Sequence, residues 1–307
     1  MPLRESLKKA LPRVNAATEL AGIHIEPLHY YSNIADRRWL RSHRSLWQRP
    51  VQPRGIEWDL DAQLDWLRPM TAAHVGEVVG LEAYRAASTG VFGPGYGPIE
   101  SQVLYCFLRA QKPRRMIEVG CGVSTATAVA ASATNANEGA VRTAVTCIEP
   151  FARAGLRELP DIDLWEIPCQ EVPLETFTQL SPGDLLFIDS THAVRTGSEL
   201  PYLYLEVLPS LAAGVFIHIH DIYLPFLFSP FVLGDPFDWQ ETVVLAALLT
   251  NNDHLRVRCC LSALHHERQA DLRSLLPDYW PAPTPHGLAT APLGSSHFPS
   301  SIWLETA

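Results

Sequence analysis

Asp189 and His192, three positions apart, and the adjacent pair His220 and Asp221 are the side chains of this chain best suited to chemistry. An imidazole changes protonation near neutral pH, and carboxylates gathered at one place can hold a divalent cation. Each pair follows an apolar run, Leu185 to Ile188 and Val215 to Ile219, as residues at strand ends do. With the two strands adjacent, Asp189 and Asp221 converge on one cation, with His220 as a third ligand or a second base. Oxygen ligands suit magnesium, and a histidine moves the preference toward manganese or a similar ion. The alternative is that Asp189 caps a loop without metal. His218 alternates with His220 along the same strand, and is read as a buried, hydrogen-bonded histidine.

A second constellation lies upstream. Met116-Ile-Glu-Val-Gly-Cys-Gly-Val-Ser-Thr125 is an apolar strand that delivers an acid, then a two-glycine turn, then an alanine-rich helix. Gly120 and Gly122 let the backbone turn sharply, and the free N–H groups of the following helix face a ligand. A dinucleotide fingerprint requires a third glycine close by, and none follows until Gly139. No Gly-Lys-Ser/Thr follows either, which removes a nucleoside triphosphatase. Ala144-Val-Thr-Cys-Ile-Glu149 reads as a second strand ending in an acid 27 residues after Gly122, the placement that suits a ribose diol. The pattern fits a cofactor with a carboxylate and a ribose.

On Glu118, Gly120, Gly122 and Glu149 the chain resembles the class I S-adenosylmethionine-dependent methyltransferases. Asp184–Asp189 with His192, Thr196–Glu199, Gly214–Ile222 and the early His29-Tyr30-Tyr31-Ser32 segment make it similar to the group that includes macrocin-type sugar O-methyltransferases. The resemblance implies S-adenosyl-L-methionine held by Glu118, Gly120, Gly122, Ser124, Glu149, Gln170 and Asp189, with Asp189 facing the methionine amine when no metal is bound. It implies a catalytic His192 acting as base beside Asp189, and a cation site of Asp189, His220 and Asp221. Relatives carry an acid pair at the end of the fifth strand, and His220 departs from it. The activity implied is O-methylation of a hydroxylated small molecule such as a sugar or glycosylated natural product. Two rivals stand beside it: a hydroxylase-like activity without methyl transfer on the same scaffold, and a catalytically silent binding subunit that keeps the cofactor fold.

These residues need a frame that brings strand ends together. An apolar helix pattern over Ile99–Ala110 precedes strands near 116–119, 144–148, 163–167, 184–188 and 214–219, with helices between them. Such alternation predicts an α/β, Rossmann-like, doubly wound and mostly parallel sheet. Leu255–Leu261 and Ser301–Glu305 read as closing strands, which the family resemblance makes an antiparallel C-terminal hairpin completing a seven-stranded sheet. Residues 1–98, rich in Trp, Arg and Pro, form an expected N-terminal cap or arm, and 99–307 the cofactor-binding domain. Gly90–Pro98 is a hinge expected to fold over the cofactor. Tyr223–Trp239 is long enough to wall an active site, a helix over 240–249 follows, and 277–299 is a proline-rich loop.

The chain has 307 residues, 47% of them hydrophobic, enough to bury a full core. Its longest apolar stretch, Leu200–Ile219, is broken by Glu206 and two prolines, so no membrane span is expected. The N-terminal segment is cationic without an apolar core behind it, which argues against a secretory signal and for the cytoplasm. A net charge of −9 offers no basic field for nucleic acid. The basic cluster Arg37, Arg38, Arg41 and Arg44, interleaved with Trp39 and Trp47, reads as a solvated face or an acidic-ligand contact. Six cysteines without a Cys-x-x-Cys pair read as reduced, buried thiols. The expected partner is a small hydroxylated acceptor, and nothing in the sequence opposes a homo-oligomer.

Overall fold

The computed structural model describes residues 2–28, 31–32, 34–93, 95–235, 237–284, 287–290 and 298–307. His29, Tyr30, Pro94 and residues 291–297 of the proline-rich loop lie outside the described residues. The chain forms two compact units, one of residues 1–47 with 232–238 and one of 48–231 with 239–307. The expected arm over 1–98 is thus divided after Trp47.

In the smaller unit the helix Pro2–Thr18 precedes two short helices, Arg37–Ser42 and Arg44–Trp47. Asp36 caps the first of these, accepting from Arg38 N at 2.8 Å and Trp39 N at 3.3 Å. Arg37 pairs with Asp238 at 3.2 Å and donates to the Val232 carbonyl, while Trp39 stacks on His43 with ring centroids 4.5 Å apart. One cation of the basic cluster is therefore committed to an ion pair within the unit.

The larger unit is built on a sheet whose strands are β1 (Arg115–Val119), β2 (Ala144–Ile148), β3 (Ile162–Trp165), β4 (Leu185–Ile188), β5 (Phe216–His220) and β6 (Leu255–Cys260). The ribbon strands β7 (Pro281–Thr284) and β8 (Gly287–Thr290) pair only with each other, and β9 (Ser301–Thr306) returns to the main sheet. The order is β3-β2-β1-β4-β5-β9-β6, seven strands in all. Strands β1 to β5 run parallel, and β9 lies antiparallel between β5 and β6. This is the doubly wound sheet with an antiparallel C-terminal pair that the strand pattern predicts. The order reverses at β1 and β4, so the ends of these two strands flank the crevice where such sheets collect ligands.

Strand residues alternate between two cores, as a period of two requires. Met116, Cys147, Leu185, Phe187, Phe216 and Trp303 pack on one face with Leu104, Phe107 and Leu108 of the helix Pro98–Gln111. Ile117, Ile148, Leu186, Ile217, Ile219 and Leu304 pack on the other with Leu203, Val207 and Leu245. The helix Leu60–His74, capped by Asp59, joins the first core through Leu64, Leu67 and Met70, and Gln63 Oε1 accepts the Cys260 N–H at 2.9 Å. All six cysteines are free thiols. None of the described helices is long and apolar enough to cross a membrane.

Arg109 ties the outer helices together. Its guanidinium donates to Glu77 at 2.7 Å, to Glu138 at 2.6 Å and to Asn135. Burial disfavours the Glu77 charge, but hydrogen bonds from Arg109, His74 and Tyr105 outweigh it and hold the carboxyl at about 2, against an ordinary 4.5. A depressed folded-state value stabilises above the unfolded value and is lost as pH falls through the folded one. Acid titration of unfolding should show Glu77→Gln destabilised by a constant margin above about pH 4.5, with the margin closing as pH falls toward 2.

Candidate active site

The glycine turn after β1 is held by contact as much as by conformation. Gly120 has φ +83°, and a Cβ placed there would sit 1.8 Å from the Asp189 carbonyl oxygen and 2.6 Å from its carbon. Asp189 N in turn donates to the Val119 carbonyl at 2.8 Å, and Gly120 N to Ile148 at 3.0 Å. Gly122 is different. Its backbone is extended, and a Cβ would meet Phe92 at an ordinary 3.8 Å. Gly122 N donates to Thr125 Oγ1 at 2.9 Å, so Thr125 rather than Ser124 caps the helix Val123–Asn137.

A cavity of about 270 Å³ opens against this turn, lined among others by Tyr96, Gly120, Gly122, Ser124, Glu149 and Asp189. The Glu149 carboxylate accepts from Cys121 N at 3.3 Å and Phe151 N at 2.8 Å, which fixes it at the cavity edge. Phe92, Gly93, Gly95 and Tyr96 of the Gly90–Pro98 segment line the same cavity, so the predicted hinge does lie over the turn. Two residues named for the cofactor are elsewhere. Glu118 is fully buried beneath the turn, where burial, with the Asp189 and Glu149 charges, pushes its carboxyl to about 8 against the pull of the Ser124 and Thr125 hydroxyls. Gln170 is exposed on the turn Cys169–Glu171 and donates to the Gly197 carbonyl at 2.9 Å.

Asp189 links this cavity to a polar cluster. Its Oδ1 lies 3.3 Å from His192 Nε2 and 3.1 Å from His220 Nδ1. Asp221 Oδ2 lies 3.4 Å from His192 Nε2 and 3.5 Å from His220 Nδ1. Two imidazole nitrogens and two carboxylate oxygens thus alternate around a ring. Asp189, His220 and Asp221 each offer a ligand atom within 4.8 Å of the others, so the three expected at one cation do converge. His192 at φ 57° and Asp221 at φ 53° occupy the left-handed region, which non-glycine residues seldom adopt and which recurs at functional sites.

Burial opposes charge on Asp189, His192 and His220, yet the pairing wins. His192 is held up at about 10 by the hydrogen bonds its ring donates to Asp189 and Glu241 and by the Asp221 charge, and His220 is raised by Asp189 and Asp221. Asp189 is lowered by both imidazoles. His218 shows the opposite outcome. Burial and the neighbouring His220 charge push it down to about 3, and its Nε2 meets the Tyr96 hydroxyl at 3.2 Å, as the reading of a buried, hydrogen-bonded histidine anticipated.

Sequence reasoning missed the outer shell. Glu241 Oε2 lies 2.7 Å from His192 Nδ1, and its Oε1 accepts from the Tyr204 hydroxyl at 2.8 Å. The Tyr223 and Ser300 hydroxyls donate to Asp221 Oδ1 at 2.8 and 2.9 Å, and Glu100 Oε1 accepts the Ser300 N–H at 2.7 Å. The only trace of Glu241 in the sequence is a lone acid opening an apolar helix, which reads as ordinary first-turn charge.

Comparison with known proteins agrees with the frame. Residues 117–222 match the family described as "Methyltransferase domain". No curated protein matches the chain. Among solved structures, the SAH-bound methyltransferase PaMTH1 of Podospora anserina is similar at 14% identity over 92% of this chain and 99% of that one, with TM-score 0.39. The O-methyltransferase TomG of Streptomyces achromogenes, solved with SAM, is similar at 11% identity over 82% and 92%, TM-score 0.40. An O-methyltransferase of Bacillus cereus, solved with SAH, stands at 12% over 82% and 92%, TM-score 0.38. The chain carries a methyltransferase domain of the class I, Rossmann-like type over residues 117–222. It is a methyltransferase.

The two glycines should separate fold from site. Gly120→Ala should destabilise the protein by about 1–2 kcal/mol or more, from the left-handed backbone and the Asp189 contact. Gly122→Ala should leave stability within about 0.5 kcal/mol. Urea unfolding of the two variants checks this.

Proposed function

We propose that this protein transfers the methyl group of S-adenosylmethionine to a hydroxyl oxygen of a small molecule, of the class represented by sugars and glycosylated natural products. One observation carries the reading. The cavity against the glycine turn has a pinned carboxylate, Glu149, at one end and Asp189, the first member of the polar cluster, among its lining. A ribose diol donating to Glu149 makes two charge-assisted hydrogen bonds, each worth about 1.5–3 kcal/mol. Anchored there, the cofactor extends its sulfonium toward Asp189.

In the transfer the acceptor oxygen attacks the methyl carbon, the carbon–sulfur bond breaks, and S-adenosylhomocysteine leaves. The sulfonium is already activated, so alignment of the acceptor is the main contribution, up to about 7–11 kcal/mol. The hydroxyl proton passes to Nε2 of His192. Asp189, His220 and Asp221 fit a divalent cation by donor type and convergence, and the nitrogen among them favours manganese or a similar ion over magnesium. Such a cation supplies positive charge beside the acceptor oxygen. A cation held there would offset the Asp189 and Asp221 charges that face His192 Nε2 at 3.3 and 3.4 Å.

Calorimetric titration with S-adenosylmethionine and S-adenosylhomocysteine, with and without manganese or magnesium, tests the cofactor half. Saturable binding near one per chain is expected, weakened about tenfold or more in Glu149→Ala. Gly122→Val, which intrudes on the cavity beside Phe92, should stay folded and lose binding. Folded wild-type protein that binds neither compound under any of these conditions overturns the reading. His192→Asn should bind S-adenosylhomocysteine normally while methyl transfer to hydroxylated acceptors falls about 10²–10⁴-fold.

A further inference from the structure

We infer that Glu241 is a positioning residue for the transfer: it holds His192 by Nδ1 so that only Nε2 exchanges a proton with the acceptor. The inference rests on the methyltransferase reading above for the identity of that acceptor, but the Glu241–His192 pairing itself is independent of it. Glu241 opens the helix Glu241–Leu249, whose other residues are Thr, Val, Leu and Ala, and it is 1% exposed. A carboxylate buried at such a place is costly unless its oxygens are satisfied. Both are satisfied, and neither by the start of its own helix: Oε2 meets His192 Nδ1 at 2.7 Å and Oε1 accepts from Tyr204 at 2.8 Å.

The same few residues grip His192 by its backbone and its ring face. The His192 carbonyl, in a residue at φ 57°, accepts from Gln240 N at 3.0 Å and Glu241 N at 3.3 Å. The Trp239 ring lies 4.8 Å from the imidazole, centroid to centroid. Tyr204 sits in a π-helical segment, Leu203–Val207, and inserted turns of this kind occur mostly where a side chain must be re-aimed at a functional site. Tyr204 therefore holds the Glu241 carboxylate that meets Nδ1, and Trp239 backs the ring. The two sides of the ring are unequal: Nδ1 has one short partner in Glu241, 1% exposed, whereas Nε2 has two longer ones at 3.3 and 3.4 Å, of which Asp189 lines the cavity. With Nδ1 engaged by Glu241 at 2.7 Å, Nε2 is the nitrogen left to meet the acceptor. Glu241 thereby fixes which nitrogen is the base, as the outer carboxylates of histidine sites do.

The test is nuclear magnetic resonance of [15N]histidine-labelled full-length protein, with His192→Asn to assign the ring. Wild type should show a strongly downfield Nδ1–H proton for His192. E241Q should lose it while retaining the wild-type circular dichroism and binding S-adenosylhomocysteine within about twofold, and Y204F should shift it without removing it. With a hydroxylated acceptor in hand, E241Q should lower kcat about 10²-fold with KM for the acceptor within about twofold, and E241D should recover part of the loss. A His192 Nδ1–H signal unchanged in E241Q, or unchanged kcat, overturns the positioning role. Failure of the wild type to bind S-adenosylmethionine or S-adenosylhomocysteine overturns the methyltransferase reading instead, and leaves the resonance experiment to decide the pairing alone. If E241Q does not fold, Y204F decides: no displacement of the signal counts against the proposal.

Discussion

The absence of a side chain at Gly120 is the constraint on which the site depends. The Asp189 backbone occupies the space a Cβ would take, and Asp189 N donates back to Val119. Neighbouring strands β1 and β4 are thus locked together beyond the end of their ladder. The lock fixes two things at once. It sets the curvature of the cofactor turn, and it aims the Asp189 side chain away from the sheet toward both imidazoles. Cofactor cavity and polar cluster are consequently one site with a shared wall. The glycine that usually explains ligand approach here explains backbone approach, and Gly122 is the position left open to the cavity.

Around this joint the protein buries ionisable groups in two ways. Asp189, His192 and His220 keep their charges by facing opposite ones, each with a partner within 3.5 Å. Glu118 and His218, one step deeper, have no such partner and are driven to their neutral forms. Tyr96 spans the two regimes, hydrogen-bonding neutral His218 while its ring lies 4.9 Å from that of His220 and lines the cavity.

The parallel sheet was legible in the sequence because its strands are apolar runs bounded by glycines and acids. Their order and the insertion of β9 between β5 and β6 agree with that reading. Asp189, His192, His220 and Asp221 were legible because they end strands, and strand ends share one edge. Glu241, Tyr204, Glu100 and Ser300 were not, because each comes from a helix or strand terminus where an acid or hydroxyl is ordinary, and only the fold reveals that it points inward. The contact that the Gln170 side chain makes with the Gly197 carbonyl was not legible either, since a polar turn after β3 says nothing of where its side chain goes. The division after Trp47 was also hidden, since composition cannot tell that the helix Leu60–His74 packs its leucines into the sheet core.

The most direct measurement is a crystal structure of the protein with S-adenosylhomocysteine. The central claim, that the donor cavity ends where the polar cluster begins, predicts the ribose hydroxyls on Glu149, the chain of the cofactor against Gly122 and Ser124, and the sulfur directed toward Asp189 and His192. A ribose away from Glu149, or a sulfur pointing away from Asp189, would contradict it.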